Sequence, residues 1–421
     1  MLKKFTKEEK SWILYDVANS AFVLVIVTTI MPIFFKDIAA VNVDNATSTA
    51  YWGFANSAAS IILALLAPIL GVFADIKDKK KKFFAIFFIL GLVFTLALPA
   101  IGRGDWILCI VLFVAARVGW AGANLFYDSF MTDITTNEKM DDVSANGFGW
   151  GYIGSVIPFL AIIALVMFWK SPDQAGAISL PAARASFLIV AVWWFLFTLP
   201  LFKNVKQKHY IEPGEHIVSD SFKRLIATFK EIRQYKNIFI FLIAYFFYID
   251  GVGTIISMSA VYGREVGLST TLLIVVILMI QIVAFPFAIL FGKLAFRYSA
   301  KTMILVGIVI YGIITLLGFF LPVIADNTLQ VLTFWIMAFL VASSQGGIQA
   351  LSRSFYGKLV PKEKSSEFFG FFNIFGRFAA ILGPALMGGI GILTGSSRWG
   401  LLGIFILFII GALILLKVKE E

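Results

Sequence analysis

A chain of 421 residues that is 60% hydrophobic, 16% aromatic and only 14% charged, with a mean hydropathy of +0.90, holds more apolar surface than a soluble core can bury. That excludes a soluble domain and reads as a polytopic membrane protein. The net charge of +10, from 35 Lys and Arg against 25 Asp and Glu, would suit a nucleic-acid partner, but its placement marks membrane topology instead.

A membrane-crossing helix needs roughly 20 mostly apolar residues. Twelve such runs occur, at residues 12–35, 51–74, 83–102, 106–131, 147–169, 184–202, 237–262, 269–296, 302–322, 328–350, 366–394 and 399–416. Continuous runs of this length exclude a β-barrel, whose strands would show as shorter alternating segments, so the expected fold is all-α integral membrane. With both termini placed on the cytoplasmic side, the inner segments hold 26 basic residues and the outer loops six: Lys36, Arg103, Lys170, Arg184, Arg264 and Arg398. The remaining three, Arg117, Lys293 and Arg377, fall within spans. This distribution satisfies the positive-inside rule. The first apolar run is too long for a signal-peptide core and lacks a small-residue cleavage site, so it is expected to stay as a span. A lone cysteine, Cys109 in span 4, leaves no intramolecular disulfide and does not define the redox compartment.

Span 1 opens with SWILYDVANSAF, which puts Asp16, Asn19 and Ser20 at i, i+3 and i+4 on one helical face, expected to look inward. A solvated or capping Asp16 is the plainer alternative. Span 2 ends in GVFADIKDKKKK. Gly71 allows close approach of a neighbouring helix, Asp75 can accept from helix N-terminal amides, and the lysines are expected to stay outside the membrane. The pattern G-x-x-x-D-x-x-x-K-K, over Gly71, Asp75, Lys79 and Lys80, resembles the loop between the second and third helices of major facilitator superfamily transporters, with Asp78 where that family usually has a second glycine. The resemblance extends over essentially the whole chain. It implies two six-helix bundles enclosing a cavity lined by spans 1, 4, 7 and 10, at residues 1–202 and 237–421, joined by a cytoplasmic linker at 203–236.

In span 4, Arg117 lies eleven residues from Trp106 at the outer end, hence about 16 Å deep, where a charge is expensive and faces a partner or a water-filled cavity. A structural ion pair is the alternative. The segment RVGWAGANLFYD is similar to the superfamily's span 4 motif. Glycines at 147, 149, 151 and 154 lead into span 5, where packing alone accounts for them. In the linker, Phe222, Leu225, Ile226, Phe229 and Ile232 form the stripe of an interfacial helix. His209 and His216 also fall in the linker and are expected in solvent without metal-ligand company.

Span 7 places Asp250 near mid-membrane beside Gly251 and Gly253. Its sequence, with the opening of span 1 and the segment after span 10, resembles the vacuole-effluxer branch of the superfamily, relatives of the autophagy-related vacuolar amino-acid exporter. Span 8 ends in a copy of the span 2 motif, with Gly292 and Lys301 kept but Phe296 in the place of Asp75. Span 10 has Gln345 and Gln349 at i, i+4, and span 11 has Asn373 and Arg377 ahead of Gly383-Pro384. The halves also match directly, Asp128-Ser-Phe against Arg353-Ser-Phe at an offset of 225, and Gly71 against Gly292 at 221, which is the internal repeat this transporter architecture shows.

These residues lead to an expected secondary active transporter of a small polar metabolite, an amino acid or similar zwitterion, coupled to protons. The pathway would use Asp16, Asn19, Arg117, Asp250, Gln345, Gln349, Asn373 and Arg377. In it Asp250 takes the proton, Arg117 supplies the opposing charge, and Arg377 receives a substrate carboxylate. The cytoplasmic gate would use Gly71, Asp75, Lys79, Lys80, Asp128, Arg353 and Glu367, with Asp75 at the start of span 11 and Asp128 against Arg353. The expected partners are a small-molecule substrate, protons and the lipid bilayer, with no nucleic acid, no cofactor and no metal, in a monomer of the bacterial plasma (inner) membrane. Export of a lipid or amphipathic drug, and substrate sensing without transport, stay open. A membrane enzyme does not fit, since no intramembrane histidine exists and Cys109 has no base partner.

Overall fold

The computed structural model describes residues 2–169, 178–212, 235–265 and 270–420. Among them, 12 helices are long and apolar enough to cross a membrane: α1 Lys7–Ala39, α2 Tyr51–Ala74, α3 Lys80–Ala100, α4 Trp106–Ile134, α5 Asn137–Phe168, α6 Leu180–Asn204, α7 Lys236–Ser259, α8 Val275–Tyr298, α9 Ala300–Val323, α10 Asn327–Leu359, α11 Lys362–Gly391 and α12 Arg398–Leu415. Several begin or end outside the apolar run that marks them, because polar residues continue the helix past it. In α1, Thr6 and Glu9 form a capping box that starts the helix before the first apolar residues. Further along α1, Pro32 cannot donate to the preceding turn, and Thr28 and Thr29 hydroxyls bond the Leu24 carbonyl at 2.7 and 2.5 Å. The helix widens there to a π-helical stretch over Val23–Thr29.

The chain forms two compact units. The first comprises Met1–Ile134, Trp150–Ser221 and Lys362–Gly370, and the second Thr135–Gly149, Phe222–Pro361 and Phe371–Glu421. The opening turns of α5 thus pack with the second unit and those of α11 with the first. Inside the first unit α3 packs on α4, α1 on α6, α2 on α4 and α3 on α6. Inside the second, α9 packs on α10, α7 on α12, α8 on α10 and α9 on α12. These are the same pairs shifted by six helices, so the internal repeat read from the sequence is a repeat of packing.

The α2–α3 and α8–α9 turns show how the repeat is kept when residues change. Asp78 has φ 59° and Ser299, 221 positions later, has φ 80°. Both non-glycine residues take a positive φ that a glycine would favour, so the tight turn forms in each copy. The lysine after each turn holds a helix end. Lys81 donates to the Phe202 and Val205 carbonyls at the end of α6, and Lys301 to those of Leu416 and Val418 at the end of α12. Helix faces turned away from these contacts bear exposed Phe54, Leu65, Ile157, Phe168, Val309 and Leu393, as a lipid-facing surface requires.

Candidate functional site

In the first unit, α4 has two chemically opposite faces. Gly119 and Gly122 lie on one, where a Cβ would stand 2.2 Å from the Gly91 nitrogen and 2.1 Å from the Phe87 ring of α3, so only glycine permits this approach. Arg117, Trp120, Asn124 and Asp128 lie on the other, at helical spacing and half-buried. Arg117 Nε and Nη1, Trp120 Nε1 and Asn124 Oδ1 are sealed from solvent without a hydrogen-bond partner among the described residues. The Arg117 guanidinium sits 5.9 Å from the Phe113 ring, and the Trp120 ring stacks on Phe22 of α1 at 5.5 Å.

On α1, Asp16 is 7% exposed and accepts from Asn19 Nδ2 at 3.2 Å, so it is not a solvated cap. Gly151 and Gly154 of α5 press against this face, where a Cβ on Gly151 would be 2.6 Å from Ser20 Oγ. The glycines entering α5 therefore serve close packing.

In the second unit, Asp250 of α7 is 0% exposed, and among the described residues no charged side chain pairs with it, the backbone N–H of Gly383 on α11 being its neighbouring donor. Thr254, one turn on, is also buried with its hydroxyl unpartnered. Gly383 of α11 makes room for both, since a Cβ there would lie 2.0 Å from Thr254 Oγ1 and 3.1 Å from Asp250 Oδ1. Tyr248 donates to or accepts from Ser352 of α10 at 2.7 Å, and Tyr245 stacks on Phe372 at 4.3 Å, so the aromatic groups on α7 are packed in this unit. On α10, Gln345 is buried and Gln349 half-buried. Asn373 is half-buried on α11. The side chain of Arg377 lies outside the described residues, as do the linker stripe at 222–232 and His216.

The lysine-rich end of the first unit holds a dense polar network. Asp75 caps the start of α11, accepting from the Ser366 N–H at 2.8 Å and the Glu367 N–H at 3.0 Å. Gly71 allows this contact, because a Cβ there would fall 2.6 Å from the Ser366 carbonyl oxygen. Burial pushes the Asp75 carboxyl up to about 7, against the opposing pull of Lys80 and of the Glu367 and Ser366 N–H groups. Lys80, one of the lysines expected outside the membrane, is buried within the protein. It is 0% exposed and donates to Asp133 Oδ2 at 2.7 Å and Ser365 Oγ at 2.8 Å, a buried charge compensated by a partner. Lys79 is half-buried at the N-cap of α3. Nor is His209 in bulk solvent: its ring nitrogen is 3.3 Å from Asp133 Oδ1, which also accepts from the Lys208 and His209 N–H groups at 2.8 Å each. Gln207 and Ile211 continue this strap along the α2–α3 turn, Ile211 bridging to the Asp75 carbonyl and the Lys77 N–H.

The second unit builds its clamp with opposite polarity. Phe296, where the repeat would put a carboxylate, is 85% exposed. In its place, Asp141 near the start of α5 accepts from Ser354 at 2.6 Å and pairs with Lys358 at 2.5 Å, both on α10. Arg353 donates to Ser144 Oγ at 3.1 Å and lies over the Phe148 ring at 4.4 Å. Asp128 is half-buried near the inner end of α4.

Twelve membrane-length helices, with the packing of α1–α4 and α6 repeated by α7–α10 and α12, are the architecture of a major facilitator superfamily transporter. In agreement, the chain is similar to the solved proton:xylose symporter XylE bound to 6-bromo-6-deoxy-D-glucose, with a TM-score of 0.74 over 98% of this chain and 96% of that one at 11% identity, a likeness of fold. The chain belongs to the Atg22-like vacuole effluxer family, whose model matches residues 5–421. It is 49% identical to the "Uncharacterized MFS-type transporter YxiO" of Bacillus subtilis (strain 168), covering 100% of this chain and 97% of that protein. It is 23% identical to Autophagy-related protein 22 of Saccharomyces cerevisiae (strain ATCC 204508 / S288c), over 97% of this chain and 91% of that protein. The protein is accordingly a multi-pass membrane transporter and not an enzyme.

Trp120, Asn124, Thr254, Asp133 and Lys358 were not singled out by the sequence. Trp120 and Asn124 stand at i+3 and i+7 from Arg117, so helical spacing alone could have revealed them. Nothing local marks Asp133 or Lys358, whose partners lie 53 and 217 positions away.

Proposed function

We propose that this protein moves a small polar metabolite, an amino acid or similar zwitterion, across the bacterial plasma (inner) membrane by alternating access, coupled to protons. Asp250 supports this reading most directly. A carboxylate sealed in a membrane helix without a counter-charge is expensive, whereas a carboxyl that gains and loses a proton as its surroundings change is suited to coupling. Arg117 supplies the fixed positive charge of the pathway, since arginine does not titrate. The name vacuole effluxer, borne by the family, supports solute movement as the activity. Both termini face the cytoplasm in this reading, and the protein acts as a monomer. The Asp75 contact to α11 forms part of the gate. In this reading the carboxyl holds the start of α11 in one state of the transport cycle and releases it in the other.

The test is uptake and counterflow in proteoliposomes, screened over the standard amino acids with and without an imposed proton gradient. Accumulation of an amino acid driven by the gradient is expected. Counterflow of none of them overturns the substrate class, and counterflow without gradient-driven accumulation overturns the coupling.

A further inference from the structure

We infer that Arg117, Trp120 and Asn124 form a receptor for the carboxylate and amino groups of the substrate on one face of α4. This rests on the amino-acid reading above and gives it a site. Four polar atoms are aligned on that face with no hydrogen-bond partner among the described residues: two guanidinium N–H groups, an indole N–H and an amide oxygen. A sealed polar group left without its hydrogen bond is costly, so four together on one face call for a ligand that completes them. The donors come first along the helix and the acceptor follows. Side chains on a helix lean toward its N-terminus, and the Arg117–Phe113 contact shows this lean. The guanidinium and the indole N–H, three residues apart, therefore stand about one turn apart and can share one carboxylate. Asn124 follows Trp120 by four residues, about 6 Å along the axis, a separation that an amino acid with its carboxylate on the indole N–H and its ammonium on the Asn124 amide oxygen can bridge.

The receptor is rigid before anything binds. Phe22 stacks on the Trp120 indole with an interplanar angle of 7°, and the same Phe22 contacts Trp194 at 5.4 Å. On the opposite face, the Gly119 and Gly122 contacts to α3 hold the helix backbone in place. Preorganised donors of this kind add affinity because little motion is lost on binding. In this inference Arg117, and not the Arg377 suggested by the sequence, takes the substrate carboxylate.

Binding to the purified full chain tests the site, using each standard L-amino acid and, for every one that binds, its carboxamide and its des-amino acid. The wild-type protein should bind the amino acid about tenfold or more tightly than the carboxamide, as expected when a charge-assisted pair is lost. Arg117→Met should bring the acid down to the level of its carboxamide. Trp120→Phe keeps the ring on Phe22 but removes the N–H. It should weaken the acid about tenfold with little change for the carboxamide, and it decides the matter should Arg117→Met not fold. Asn124→Leu should weaken the amino acid but not the des-amino acid. If amino acids bind and are transported while Trp120→Phe leaves affinity and the preference for acid over carboxamide unchanged, this site is wrong and the proposed function stands. If the wild-type protein binds none of them, both fall.

Discussion

Buried charges in this protein fall into two kinds, and their partners separate them. Lys80 and Asp133 are both fully buried and bonded to each other, so removing one leaves an uncompensated charge, at a cost of roughly 3–5 kcal/mol. Lys80→Met should therefore lower the melting temperature of the purified protein markedly, and Lys80→Met combined with Asp133→Leu should recover part of the loss. A double variant no more stable than Lys80→Met would show that the pair does not matter to stability. Asp250 is of the other kind, buried with no counter-charge among the described residues. Asp250→Asn should keep substrate exchange in proteoliposomes while losing accumulation driven by a proton gradient alone. Retained accumulation would move the coupling proton elsewhere, with Asp16 the next carboxyl to examine.

Two helix contacts depend on what a single position leaves out or supplies. Gly383 on α11 leaves the space that Asp250 and Thr254 fill, and Gly383→Ala would put a methyl group 2.0 Å from Thr254 Oγ1. Overpacking of this sort costs roughly 1–3 kcal/mol, so the variant should melt lower, and adding Thr254→Ala should restore most of the difference because the two sites are in contact. Additive losses would refute the steric account. Asp75 at the start of α11 supplies a carboxyl whose pKa is raised to about 7, chiefly by burial. The sign follows from linkage. The arrangement that buries Asp75 is favoured at low pH relative to one that exposes it to water, and that advantage fades as pH rises through about 7. Hydrogen exchange of the Ser366 and Glu367 amides should accordingly speed up between about pH 6 and about pH 8, beyond the intrinsic effect of pH on exchange. Asp75→Asn should remove that excess.

At the scale of the whole molecule, 26 basic residues on one set of connecting segments against six on the other predict which side each loop occupies. Native Cys109 is buried, so introduced thiols report alone. A membrane-impermeant maleimide applied to intact cells should label Arg103→Cys but neither Lys3→Cys nor Lys417→Cys until the membrane is opened. Labelling of Lys3→Cys in intact cells would invert the orientation.

The number of helices, their class and the internal repeat were legible in the linear chain, because crossing a bilayer demands a continuous apolar run and duplicated helices keep their spacing. So was the meeting of Asp75 with the start of α11, since a carboxyl at a helix end has few other uses. The repeat also survived substitution at the turns, where Asp78 and Ser299 both take a positive φ in place of glycine. Tertiary structure alone decided which charges pair. Lys80 reads as one lysine of a run outside the membrane, and it is buried in protein because Asp133 and Ser365 converge on it from distant parts of the chain. His209 reads as a linker residue in water, yet Asp133 draws it and the strap around it onto the first unit. Arg117 and Asp250 could each have been one half of a structural pair. Only the packing around them showed that, among the described residues, Arg117 keeps unbonded N–H groups and Asp250 has no counter-charge, because a missing partner is a property of the whole surrounding surface and not of any local pattern.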